Sequence, residues 1–187
     1  MDPITKAHFN NLHLSNPAER YPSYRYAIEI TNEPVSWAYQ VWDDLLQMTE
    51  TGDNHQRTIA AQLLSNLAKS DPEHRMIHDF DKVMKVTHDD KFVTARHSLQ
   101  ALWKIAIIDN ESQKMVVSKL SDRFKSCIAE KNCTLIRYDI IEVFRKIYNV
   151  IPDRGLRDKA LALLETENDL KYRKKYLGLW KDILTAK

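Results

Sequence analysis

The residues that could do chemistry are few and scattered. His74 and His78 stand four apart on a predicted helix, which puts both imidazoles on one face within reach of one metal ion. A third ligand would have to come from Asp81 or His55, and the H-E-x-x-H pattern is absent, so the plainer reading is a pair of exposed, unliganded histidines. Asp43-Asp44 and Asp89-Asp90 are adjacent acids. Neighbours on a helix point about 100° apart, which suits helix caps or solvated faces better than a catalytic dyad. Cys127 and Cys133 lack C-x-x-C spacing and are too few for a disulfide framework; the pair allows a bridge in principle, but two reduced thiols is the plainer reading. The three glycines, at 52, 155 and 178, are isolated, and no serine sits in a G-x-S-x-G elbow. These residues assign no catalytic residue, no metal site and no cofactor.

Charge is distributed more tellingly than its total of +2. Residues 1–94 carry 9 Lys+Arg against 14 Asp+Glu, and residues 95–187 carry 19 against 12. A basic C-terminal half suits an anionic partner. In that half, cations interleave with aromatic and amide side chains: Arg96, Gln100, Trp103 and Lys104, then Tyr138, Glu142, Arg145 and Lys146, then Lys174, Lys175 and Lys181. Such a pattern suits a phosphate backbone with stacked bases, or the charged rim of a protein interface.

The elements that must position these residues are helices. Apolar residues recur at i, i+3, i+4 and i+7, and nothing alternates with period two long enough to be a sheet. About ten helices follow. A short one covers 4–13, and Asn16-Pro17-Ala18-Glu19 opens the next, with Asn at the N-cap, Pro at the first position and Glu at the capping-box position. Pro34 is expected to start the third, and Thr51-Gly52 to end it with a left-handed glycine. Asp53 caps the fourth, and Asp71-Pro72-Glu73 opens the fifth. A long helix to Ala106 follows Asp89-Asp90, and another after Asn110 points Val116, Leu120, Phe124 and Ile128 inward. The segment 132–149, a helix opened by Pro152 and a last helix over 168–184 with Tyr176, Leu177, Trp180 and Ile183 inward complete the chain. Short connections make neighbours antiparallel hairpins.

One pattern recurs. Arg57 is followed at +3, +4, +7 and +10 by Ala60, Ala61, Leu64 and Leu67. Arg137 is followed at those offsets by Ile140, Ile141, Phe144 and Ile147, and Arg173 by Tyr176, Leu177, Trp180 and Ile183. A middle copy counts from Ala95, with Arg96 displaced by one, and a weak first copy lies near Arg25. A period of roughly 40 residues is one helix hairpin of an α-solenoid. The chain thereby resembles the HEAT-repeat family. That resemblance implies an acid six residues before each arginine, met by Glu19, Asp90 and Glu167 but not before Arg57 or Arg137.

The expected architecture is an all-α, HEAT-like solenoid in one domain, with a weak first pair over 4–33 and further pairs over 34–70, 72–109, 110–150 and 152–185. In it, second helices line a concave side that binds partners. The tentative contact residues are Arg96, Gln100, Trp103, Lys104, Tyr138, Arg145, Lys174 and Lys181. The expected function is a non-catalytic scaffold or adaptor that binds a protein or peptide. The basic surface is also somewhat similar to that of HEAT-like alkylpurine DNA glycosylases, which makes nucleic acid the alternative partner, although no position here matches their catalytic Asp. His78-Asp79, with His55 upstream, resembles the metal-binding pair of HD-domain phosphohydrolases, but the interval is short and the small-residue context is missing, so this is the remote alternative. No apolar run approaches the ~18 to 20 residues of a membrane span, and the N-terminus lacks signal-peptide order. A cytoplasmic protein is expected.

Overall fold

The computed structural model describes residues 1–185, and among these every regular element is helical. Two compact units are present, Met1–Ile105 and Ala106–Lys187.

The first unit contains α1 (Pro3–Asn11), α2 (Pro17–Ile30), α3 (Tyr39–Thr51), α4 (Asn54–Leu67), α5 (Arg75–Val86), α6 (Phe92–Ala101) and most of α7 (Trp103–Ala106). Three hairpins result: α1 with α2, α3 with α4, α5 with α6. α4 packs on α2, α3, α5 and α6 and is its centre. It is buried from Thr58 to Leu67 on nearly every side, with Gln62 alone half-exposed in that stretch. Its ends are well defined: the Asp53 carboxylate accepts from the Gln56 amide at 2.8 Å, and the Gln56 side chain accepts from the Asp53 amide at 2.8 Å, a complete capping box. Trp42, Leu45, Leu63, Leu64, Leu67, Phe80, Val83 and Leu99 fill the core.

The second unit contains α8 (Asn110–Ser126), α9 (Cys133–Val150), α10 (Arg154–Glu165), α11 (Leu170–Gly178) and α12 (Lys181–Thr185). α9 packs against α8, α10 and α11. Val116, Leu120, Phe124, Ile140, Phe144, Ile147, Leu164, Tyr176 and Trp180 are enclosed.

Several local expectations are corrected. The third helix begins at Tyr39, because the chain turns through residues 36–38 after Pro34. Gly52 is not left-handed: its φ is −69° and its ψ 166°. Glycine is required there by crowding, since a Cβ would lie 2.6 Å from the Met48 carbonyl oxygen and 2.8 Å from Gln56 Cβ. The left-handed residue is His74, at φ 54°, just before α5, where the Asp71 carboxylate accepts from the amides of Arg75 (3.0 Å) and Met76 (2.7 Å). The expected helix to Ala106 breaks at Leu102, whose amide bonds back three residues to the Leu99 carbonyl. The last helix breaks after Gly178 in the same manner, leaving Leu177 exposed. Ile128 is 74% exposed rather than inward. α8 ends at Ser126, and the 3-10 turn Cys127–Ala129 carries Ile128 out of register.

Candidate binding groove

Two of the repeating arginines, Arg57 and Arg137, and with them Arg20, are placed by carboxylates at the start of the next hairpin's second helix. In the first unit Arg20 Nη1 donates to Asp53 Oδ2 at 2.9 Å, and Arg57 Nε donates to Asp89 Oδ2 at 2.6 Å. In the second, Arg137 Nη1 donates to Glu167 Oε2 at 2.9 Å. The rungs therefore run between hairpins, not across the six-residue interval of the resemblance. Glu167 belongs to a rung, but with Arg137 and not Arg173. The first copy is also re-registered: Arg20 is buried while Arg25 is exposed, and counted from Arg20 the +3 and +7 positions are the buried Ser23 and Ala27.

The same carboxylates are held ionised. Burial alone would push the Asp89 carboxyl up, but the Arg57 guanidinium and the Lys91 amide outweigh it and hold it below the usual range. For Asp53 burial is outweighed by the Gln56 amide and Arg20, and for Glu167 by the Asp169 amide and Arg137.

Fastened this way, α2, α4 and α6 form a groove of about 560 Å³. Its apolar and aromatic contributors include Tyr21, Tyr24, Ile59 and Val93, of which Tyr21 is 60% and Val93 63% exposed. Its polar contributors include Asn54, His55, Gln62 and His97. A seam of short hydrogen-bonding side chains sets the floor: Tyr24 Oη donates to Gln62 Oε1 at 2.9 Å, Gln62 Nε2 donates to the Thr58 carbonyl at 3.1 Å, and Ser98 Oγ donates to Thr58 Oγ1 at 3.2 Å. Thr94 Oγ1 donates to the Asn54 carbonyl at 2.9 Å. Arg20, the one guanidinium among the lining residues, is engaged by Asp53 and by the Leu14 carbonyl. The groove is thus almost uncharged, with exposed rings above a polar floor. Exposed apolar rings beside hydrogen-bonding groups are what an apolar peptide side chain and its backbone need.

The residues expected to make contact lie elsewhere. Arg96 is half-buried with its guanidinium 5.6 Å from the Phe92 ring centre. Gln100 and Trp103 are half-buried beyond it, and Lys104 Nζ donates to Asn66 Oδ1, bracing α7 on α4. In the second unit Tyr138 packs 6.2 Å from Tyr176. Arg145 donates to Asp182 Oδ2 at 2.6 Å and lies 5.6 Å from the Trp180 ring centre, while Lys174 and Lys181 are exposed. The groove residues are outside the cation–aromatic pattern that stands out in the sequence. The available signal was the face one and four residues after Arg20, Tyr21 and Tyr24, which becomes visible only once that register is right.

Among the described residues no group of three or more His, Cys, Asp or Glu is placed to hold a metal ion. His55 lines the groove, and Asp79 accepts from Trp42 Nε1 at 2.9 Å. No described helix is long and apolar enough to cross a membrane.

The sequence matches no family model and no curated protein. Solved structures do match. One crystal structure of an engineered protein gives a TM-score of 0.58 at 17% identity, covering 98% of this chain and 86% of the other. A second engineered protein gives 0.54 at 17% identity, covering 100% and 81%. A designed armadillo repeat protein in complex with the peptide (KR)4 gives 0.49 at 13% identity, covering 98% and 92%. Identities this low speak to the fold alone. The fold is all-α and belongs to the helical-repeat, α-solenoid class.

Proposed function

We propose that this chain is a non-catalytic protein-binding scaffold whose α2–α4–α6 groove takes an uncharged, apolar segment of a peptide or protein partner. The observation that carries this reading is the groove's chemistry: exposed Tyr21 and Val93 over a hydrogen-bonding floor, with its guanidinium already neutralised. A phosphate backbone needs free cations, and this surface offers none among its lining residues. Tyr is a favoured interface residue, because its ring adds contact area at low entropic cost.

A peptide-display selection against the purified chain, repeated with the Tyr21→Ser/Val93→Asn variant, tests this. Enriched peptides should be rich in aromatic or aliphatic residues and should lose binding to the variant. Selected peptides that bind both proteins equally would place the contact elsewhere. Labelled single- and double-stranded DNA, titrated at about 50 and 200 mM salt, supplies the opposing arm. Tight DNA binding that weakens steeply with salt, unchanged by the groove variant, would replace this reading with a nucleic-acid one.

A further inference from the structure

The two cysteines, read from sequence as unremarkable thiols, are brought together by the second unit. Cys127 closes α8 and Cys133 is the first residue of α9. Their sulfurs lie 2.7 Å apart, and neither is bridged. Cys127 is buried and Cys133 half-exposed. The connection that carries them is held independently: the Arg123 guanidinium reaches across it to Glu130, Nη2 to Oε2 at 2.7 Å. Arg137, one turn into α9, donates from Nε to the Phe124 carbonyl at 3.0 Å, the carbonyl that Cys127 Sγ also faces at 3.4 Å. The two sulfurs are therefore fixed relative to each other by contacts other than their own.

We propose that Cys127 and Cys133 form a reversible dithiol–disulfide site whose reaction partner is a low-molecular-weight disulfide of the glutathione class. Cys133, the accessible sulfur, attacks as its thiolate one sulfur of the incoming disulfide and releases the first small thiol. Cys127 then gives up its proton and attacks Cys133 in the mixed disulfide, releasing the second small thiol. The protein loses two hydrogens and two electrons, and the small disulfide becomes two thiols. Roles divide by environment. Burial, and then the neighbouring Cys133 sulfur, push the Cys127 thiol up to about 12, so it is a poor first nucleophile and is suited to resolve at close range. Bridging fastens the end of α8 to the start of α9, beside the Arg137–Glu167 rung.

The test uses the intact chain, folded, in buffers of reduced and oxidised glutathione, quenched with acid and alkylated before intact-mass and peptide-map analysis. The wild type should lose two hydrogens, carry a single Cys127–Cys133 bridge, keep no glutathione and revert fully with excess dithiothreitol. Cys127→Ser should retain glutathione on Cys133, and Cys133→Ser should stay unmodified; circular dichroism verifies that each variant is folded. In urea, about tenfold more oxidised glutathione should be needed for the same bridged fraction, because the fold supplies the proximity. A wild type that stays reduced in buffers where Cys127→Ser takes glutathione would overturn the proposal. So would a persistent glutathione adduct on the wild type, cross-linked chains in place of the internal bridge, or equal bridging with and without urea.

Discussion

The two units both fasten successive second helices with an arginine and a carboxylate, but in different surroundings. In the first, each rung keeps one foot in solvent: Arg20 is enclosed while the Asp53 side chain is 44% exposed, and Asp89 is enclosed while Arg57 is partly open. Both acids also bond backbone amides at helix starts, Asp53 to Gln56 and Asp89 to Lys91. In the second unit the Arg137 and Glu167 side chains are only 11% and 6% exposed. Glu167 also receives the Asp169 amide at 3.0 Å, and Tyr176 Oη donates to the Thr134 carbonyl at 2.7 Å beside it. Similar spacing along the chain, 33, 32 and 30 residues, thus marks fastenings of unequal worth. A half-exposed pair gains little beyond its cap, whereas a buried pair cannot lose one member cheaply.

The sharpest way to break this comparison is to remove one acid from each unit. Glu167→Ala leaves Arg137 buried without its counter-charge, and should cost about 3 to 5 kcal/mol in urea unfolding. Asp53→Ala loses a cap and a half-exposed ion pair, with Arg20 left on the Leu14 carbonyl and, through the vacated Asp53 side, on solvent, and should cost less, about 2 kcal/mol. The double variant Arg137→Met/Glu167→Leu should be less destabilised than Glu167→Ala, since it removes the buried charge along with its partner. Equal costs for the two single variants would mean that burial does not set the worth of a rung.

Two glycines extend the contrast at a smaller scale. Gly52→Ala drives a Cβ against backbone and should cost about 1 to 3 kcal/mol. Gly178 ends α11 with nothing within 4 Å of an added Cβ. Gly178→Ala should therefore be neutral or stabilise by up to about 1 kcal/mol, through helix propensity and lost chain entropy. Thermal midpoints of the two variants should move in opposite directions, or only the first should fall.

Stability against pH has an acid limb to which both units contribute and an alkaline limb from the second. Glu167, Asp53 and Asp89 have folded pKa values below their unfolded ones. Their contribution is complete above the ordinary carboxylate range near ~4 and disappears as pH falls through the folded values. The Cys127 thiol has the opposite sign of pH effect: with its folded value raised to about 12, the unfolded chain ionises first, and stability falls as pH rises beyond the ordinary thiol value of about 8.5. In reducing buffer, Cys127→Ser should remove much of the alkaline loss and leave the acid loss intact. Asp89→Asn should shrink the acid loss. Chemical denaturation from pH 3 to 10, at intervals of about one unit, reads both limbs.

What the sequence made legible follows from what repeats locally. The helical period and the Asp53 and Asn16 caps are properties of short windows, and they hold. The acids of the rungs were not legible as partners, because Arg20–Asp53 and Arg57–Asp89 join residues 33 and 32 apart, and no local pattern says which acid an arginine will meet. The groove was missed for the same reason: Tyr21, Gln62 and Val93 lie on three helices and become one surface only in the correct register. The proximity of Cys127 and Cys133 depends on where α8 stops, and Ile128 shows that the periodicity overran that point.

The smallest effect on stability should accompany the largest effect on binding. Tyr21 and Val93 are exposed and take no part in the rungs or the Tyr24–Gln62–Thr58–Ser98 seam. Tyr21→Ser and Val93→Asn should each move the unfolding free energy by no more than about 0.5 kcal/mol. Gln62→Leu, by contrast, leaves Tyr24 Oη without its acceptor and should cost about 1 kcal/mol. If the exposed pair proved as destabilising as Gln62→Leu, Tyr21 and Val93 would belong to the fastening of the unit. If they left stability alone and abolished capture of a selected peptide, the first unit would be divided cleanly. Its rungs and seam would hold the helices, and the uncharged Tyr21 and Val93 side chains above them would be free to meet a partner.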